Sequence, residues 1–420
     1  MSMKFAAVVS PFDCAWMFGA WGKPAVYWWL DRLSWAGVSK VYLRVRQCQC
    51  YYPSRVDMPG IHFWSPKNCV AERSWGTQGH EWKWWPEAYD FRTYDAPRLF
   101  IDRAHELGME IYAWLEQAEA HGHGWESRFS HEHPELLTRN RDGQVVGGNL
   151  SFGYPEAVEF KLALLREILE YRFDGVALDF QKGGDHRIPR VDLDGVYYAH
   201  YDLPIVEAFR AATSRDPFAI PNSDPGWLRF RAEYVTGFMR EARALQRRLH
   251  PEQDFGVMGI PTGKPLPARS RTPAATHSEA SSRSVPAAGA LEGNLEDQAA
   301  WTREGLVDFL VTTPLPQQMS PTDPEGYRAV LRDARSRITA PCRFGLWQVT
   351  WNASAEQVRQ IVRAAATWGA EEGVEETVFF QAEAFQDAQG ASRNLASVDR
   401  EASGEVTWNA LRQTIREVTP

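Results

Sequence analysis

Hydrophobic positions along the chain fall into two alternating patterns: short bulky runs of period two and longer stretches at helical spacing. Strands are expected over residues 5–9, 41–47, 110–116, 176–180, 255–260, 307–312, 343–349 and 377–383. Helices are expected over 24–36, 96–107, 154–172, 228–249, 295–305, 324–337, 355–368 and 407–417. Strands that alternate with helices imply a parallel sheet, and eight such units predict a (β/α)8 TIM barrel with long loops at its C-terminal face. The helix at 154–172 has Pro155 in its first turn and an apolar stripe of Val158, Leu162, Leu165, Ile168 and Leu169. All 420 residues are assigned to this one domain.

Strand alternation sorts side chains by face. In 176–180, bulky Val176, Leu178 and Phe180 belong to the helix side, leaving Gly175, Ala177 and Asp179 toward the axis. The small pair Gly175 and Ala177 should leave room for a substrate to reach Asp179. Likewise Tyr42, Arg44 and Arg46 should face inward, as should Tyr112, Trp114 and Glu116. The last strand is ambiguous: Phe379, Gln381 and Glu383 share one face, and Val378, Phe380 and Ala382 the other. Of Trp347 and Gln348, one should face inward and the other the outer layer. Barrels of this kind do chemistry at the C-terminal ends of their strands. Asp179 and Glu116 both lie there.

Two segments interrupt the alternation. The loop 48–94 is dense in aromatics, with Trp82, Trp84 and Trp85 near its end, and is expected to wall a cleft. Segment 263–293 is rich in Ala, Ser, Pro and Arg and cannot bury a core, so a disordered insertion is expected there.

Composition narrows the classes. The net charge is −8 with no basic stripe, which argues against a nucleic-acid partner. No stretch is long enough to span a membrane and no signal-peptide pattern opens the chain, so a cytoplasmic protein is expected. Trp is abundant, at 18 residues, and Trp in loops suits stacking on sugar rings. No Gly-rich phosphate cradle follows a strand, and no cofactor is expected.

The segments YPEAVEFKLALLREILEYRFDGVALDF (154–180), WLRFRAEYVTGFMREAR (227–243) and WTREGLVDFLV (301–311) resemble the family 10-like glycosyl hydrolases. The shared pattern is a helix, a Tyr-x-x-Asp-Gly turn and a strand ending in Asp, matched by Tyr171, Asp174, Gly175 and Asp179. The chain departs from the family at 263–293. The resemblance implies a (β/α)8 barrel, hydrolysis of O-glycosidic bonds and a carbohydrate substrate.

Glycosidic cleavage needs two carboxyls, one of them a proton donor. Asp179 would be nucleophile or ion stabiliser. Glu116, partly desolvated beside Trp114, or Glu383 would be the donor. Arg44 and Arg46 could tie down Asp179 and Glu116 or bind an acidic sugar. Trp114, Gln181, Lys182, His121, Trp347 and Gln348 complete the candidate substrate contacts. His121-x-His123 falls after the third strand, whereas metal-dependent amidohydrolase barrels carry such a pair on the first. A catalytically silent carbohydrate-binding barrel and a metal-dependent hydrolase stand as alternatives. Sugar, linkage and oligomeric state stay open.

Overall fold

The computed structural model describes residues 3–11, 23–47, 49–57, 91–92, 94–121, 125–180, 196–261, 290–313, 319–339, 341–350, 353–380, 382–385 and 400–419. Eight parallel strands close into a barrel: β1 (Lys4–Val9), β2 (Lys40–Arg46), β3 (Glu110–Glu116), β4 (Gly175–Asp179), β5 (Asp254–Pro261), β6 (Phe309–Thr313), β7 (Arg343–Val349) and β8 (Glu376–Phe380). Each strand pairs with its sequence neighbours, and β8 closes against β1. Around them lie α1 (Lys23–Ala36), α2 (Ala96–Glu106), α3 (Pro155–Leu169), α4 (Leu203–Thr213), α5 (Pro225–Leu249), α6 (Gln298–Arg303), α7 (Pro324–Arg335), α8 (Ala355–Ala364) and α9 (Arg400–Val418). This is the TIM barrel that the alternation predicts.

The two faces of the strands separate cleanly. Ala6, Val8, Tyr42, Tyr112, Trp114, Ala177, Met258, Phe309, Val311, Trp347, Val378 and Phe380 form the core inside the barrel. Phe5, Val41, Leu43, Ile111, Leu115, Val176, Leu178, Val257, Leu346 and Phe379 join the core between strands and helices. Phe379 stacks on Phe5, with ring centroids 6.0 Å apart, which settles the ambiguous last strand. Gly175 does not leave the axis open, however. A Cβ there would meet the Tyr112 ring at 2.7 Å, so the glycine makes room for that tyrosine and not for a ligand.

The buried face of α3 is Ala157, Phe160, Lys161, Leu164, Leu165, Ile168 and Leu169, with Val158 and Leu162 only partly covered. The stripe is rotated from the predicted one because Lys161 buries its ammonium against fixed partners, which hydrophobicity does not reveal. Further elements stand outside the predicted pattern, two of them near the site. A hairpin, Leu137–Arg139 with Val145–Leu150, and helix α4 both fall in the connections around β4. Residues 58–90, with Trp82, Trp84 and Trp85, and residues 263–289 lie outside the described residues.

Candidate active site

Adjacent strands β3 and β4 carry the carboxyls that define the site. Their register pairs Trp114 with Ala177 and Glu116 with Asp179, so both acids end their strands side by side on the inner face. Both are buried, Glu116 at 1% exposure and Asp179 at 0%. Buried carboxyls are costly without partners, and these have them. The Trp114 indole N–H donates to Asp179 Oδ2 at 3.0 Å, and Arg44 Nε lies 3.1 Å from Glu116 Oε1. The Arg44 guanidinium also lies over the Trp114 ring, 4.2 Å from its centroid.

Trp114 is therefore the hub. Its ring meets Trp347 and Phe380 edge-on at 5.6 and 6.0 Å, and those two rings lie 4.4 Å apart. Two aromatic rings and one guanidinium thus fix the indole that touches Asp179. Trp114→Phe leaves a smaller aromatic ring beneath Arg44 and removes the N–H. A roughly tenfold fall in kcat is expected, the worth of one hydrogen bond to a charged group. Unchanged kcat in steady-state assays would show that the bond is structural only.

Arg46 does not join this cluster. The pairing of β2 with β3 shifts between Arg44 and Arg46, so Arg44 stands opposite Trp114 but Arg46 stands opposite outward-facing Leu115. The bulge inserts one residue and reverses the face, which strict alternation cannot anticipate. Arg46 instead reaches Glu119 at 2.6 Å and Asp57 at 3.1 Å, in the outer layer near Phe160. Lys161 of α3 completes this network on Glu119. The Arg46 and Lys161 cations hold the Glu119 carboxyl below its usual range against the cost of burial, while burial pushes Lys161 down to about 8. Neither Glu119 nor Lys161 is among the residues that pattern singles out. The only hint in sequence is a lysine placed beside an apolar helical stripe.

The remaining candidates divide. Trp347 is in the inner layer, whereas Gln348 faces outward and donates to the Tyr327 hydroxyl of α7 at 3.0 Å. Gln181 and Lys182 lie outside the described residues, as do the side chains of His121 and Glu383. The backbone of Glu383 falls in a short 3-10 turn, Ala382–Phe385, that begins after β8 has ended, so strand parity does not extend to it.

Beside the mouth, the hairpin and the segment leading to α4 form a second polar wall. His200 adopts a left-handed φ of 64°, and its N–H donates to Thr138 Oγ1 at 2.9 Å. Thr138 in turn donates to Asp202, which also accepts the Arg139 N–H at 2.6 Å. Burial lowers His200 to about 3 and raises Asp202 to about 6. Between pH 3 and 6.5 the unfolded chain binds a proton on His200 that the folded chain does not, so acidification through that window destabilises. Asp202 has the opposite sign from pH 6 down to 3.8, where the folded state holds the extra proton. The histidine shift is the larger. His200→Gln should therefore flatten or reverse the loss of unfolding free energy between pH 6 and 4, an effect on the order of a few kcal/mol. An unchanged acid limb in denaturant titrations would refute this assignment.

With this geometry in place, the comparisons with other proteins can be read. The family described as glycosyl hydrolase-like 10 matches residues 86–343. No curated protein matches the chain by sequence. Among solved structures, the catalytic domain of β-amylase from Paenibacillus polymyxa superposes with a TM-score of 0.56 at 11% identity, covering 99% of both chains. The PgaB glycoside hydrolase domain from Bordetella bronchiseptica gives 0.57 at 13% identity, covering 94% of this chain and 99% of that one. α-L-Fucosidase isoenzyme 2 from Paenibacillus thiaminolyticus gives 0.54 at 13% identity. That match covers all of this chain but only 49% of the fucosidase, so the chain spans about half its length. At these identities the likeness is one of fold.

Proposed function

The chain belongs to the glycosyl hydrolase-like 10 family, and from that premise we propose that it hydrolyses O-glycosidic bonds of a carbohydrate at the C-terminal mouth of the barrel. One observation carries the proposal. Two inward carboxyls, Glu116 and Asp179, end neighbouring strands, and an indole N–H is aimed at the second. Support comes also from the family and from the fold it shares with glycosidases.

Asp179 is the nucleophile or the stabiliser of the oxocarbenium-like transition state, oriented by Trp114. Glu116 is engaged in an ion pair with Arg44. This favours Glu383 as the proton donor. In the barrel order β8 stands four strands from β4, on the opposite side of the mouth, which suits groups that flank one scissile bond.

A leaving-group series separates the roles. Loss of a proton donor is masked on aryl glycosides, whose leaving groups depart without protonation, and exposed on alkyl glycosides. Glu383→Gln should lose far more activity on alkyl than on aryl substrates, whereas Glu116→Gln should lose similarly on both. The reverse pattern would return the donor to Glu116. Glycan binding without turnover on any substrate would overturn the hydrolytic reading.

A further inference from the structure

Gln117 and Phe180 directly follow the paired acids Glu116 and Asp179, and both line a separate pocket on the helix side of the strand ends. Its other walls come from the hairpin and the residues after it (Asn149, Leu150, Phe152), from Lys161, Tyr197 and His200, and from Val235 and Asn294. The cavity volume is about 50 Å³. An apolar cavity of ~150 Å³ takes benzene, so this one admits a group of roughly two or three heavy atoms.

Three polar atoms in this wall lack a hydrogen-bond partner among the described residues: Gln117 Oε1, Asn149 Nδ2 and His200 Nδ1. Gln117 and His200 are more than nine-tenths buried. Native proteins rarely leave such atoms unsatisfied, because each costs its full desolvation. Gln117 is also fixed on every other side. Its backbone N–H donates to Asp179 O at 2.7 Å, its carbonyl accepts from Lys161 Nζ at 2.6 Å, and its Nε2 donates to Leu115 O at 3.1 Å. Oε1 and the second Nε2–H are left over. A rigid acceptor, an amide donor and an imidazole nitrogen, set among Phe152, Phe180, Leu150 and Val235, complement one hydroxyl on one methylene. Such a hydroxyl would donate to Gln117 Oε1 and accept from Asn149 Nδ2, and its methylene would meet the apolar wall.

We propose that this pocket is a subsite for the exocyclic hydroxymethyl arm of a hexopyranose, selecting hexosides over pentosides and 6-deoxy sugars. The inference rests on the glycosidase reading and names its substrate class. The lysine in the wall is already committed to Glu119 and the Gln117 carbonyl, so a carboxylate arm finds no free cation there.

The test is binding, measured by titration calorimetry and saturation-transfer NMR on the full-length protein and on its Asp179→Asn form. The probes are the methyl glycosides of glucose, galactose and mannose, their 6-deoxy counterparts, and methyl xyloside and arabinoside. At least one hexoside should bind roughly tenfold more tightly than its 6-deoxy or pentose counterpart, the worth of a satisfied buried hydroxyl. Asn149→Leu and, separately, Gln117→Met should erase that ratio while pentoside affinity stays put; circular dichroism confirms folding, and either variant suffices. Equal affinity across each pair, a ratio that survives both substitutions, or no binding by any probe overturns the subsite. Hexose preference without turnover on any glycoside would sink the hydrolytic reading and leave the subsite standing. Turnover without hexose preference would do the opposite.

Discussion

If the proposed activity holds, Asp179→Asn should lower turnover of a glycoside substrate by roughly 10²–10⁴-fold, the span expected when a positioned catalytic carboxyl is lost. The substitution suits this site because it changes charge with little change in shape. The asparagine Oδ1 can still accept the Trp114 N–H that Asp179 Oδ2 accepts at 3.0 Å. Ala177 and Trp114 below it are packed in the inner core and need not move. The melting temperature should therefore stay within a few degrees, and glycoside binding should persist. A screen over aryl and alkyl glycosides, run beside the wild type, gives the result directly. Full activity in the Asn form would remove Asp179 from the chemistry, and with it the two-carboxylate proposal. A collapsed melting temperature would instead assign the carboxylate to holding the mouth together.

Most of this architecture was legible because period two and period 3.6 leave different marks on a sequence. β3 and β7 fall where the pattern places them, at 110–116 and 343–349: β3 is an apolar run between Glu110 and Glu116, and β7 is one that opens on Arg343. Tyr42, Tyr112 and Trp114 lie inside the barrel as parity places them, whereas parity left open which of Trp347 and Gln348 faces inward, and it is Trp347. Legibility failed where a local event resets parity or where a charge is buried. The bulge after Arg44 turned Arg46 to the other face. Strand β8 ends at Phe380, three residues before Glu383, so alternation stops short of the candidate donor. The hairpin 137–150 is short, includes Gly147 and Gly148, and pairs only within itself, so it offers no long periodic signal. Lys161 is a charged residue within an otherwise largely apolar helical stretch. What makes it a core residue is Glu119, 42 positions away in sequence.

That pairing carries the largest stability effect expected in the molecule. Glu119 is wholly buried and accepts from Arg46 at 2.6 Å and from Lys161, while Asp57 shares Arg46 at 3.1 Å. Two cations and two carboxylates thus balance inside the protein. Removing one member of a buried ionic network leaves its partners charged and desolvated, which costs about 3–5 kcal/mol. Glu119→Gln should lower the unfolding free energy by that amount, because Asp57 alone faces both Arg46 and Lys161. Lys161→Met in the same background should recover part of the loss, since it withdraws one of the stranded charges. Chemical denaturation of the two single variants and the double variant measures the coupling. A Glu119→Gln cost within ~0.5 kcal/mol of zero would place the variant among ordinary surface substitutions and show that water or rearrangement already satisfies these groups. The network also reaches the active site. Lys161 holds the Gln117 carbonyl at 2.6 Å, and the Gln117 N–H holds the Asp179 carbonyl at 2.7 Å. Glu119→Gln should therefore also lower kcat at temperatures where the protein is still folded, because the lysine that anchors the end of β3 has lost its own anchor.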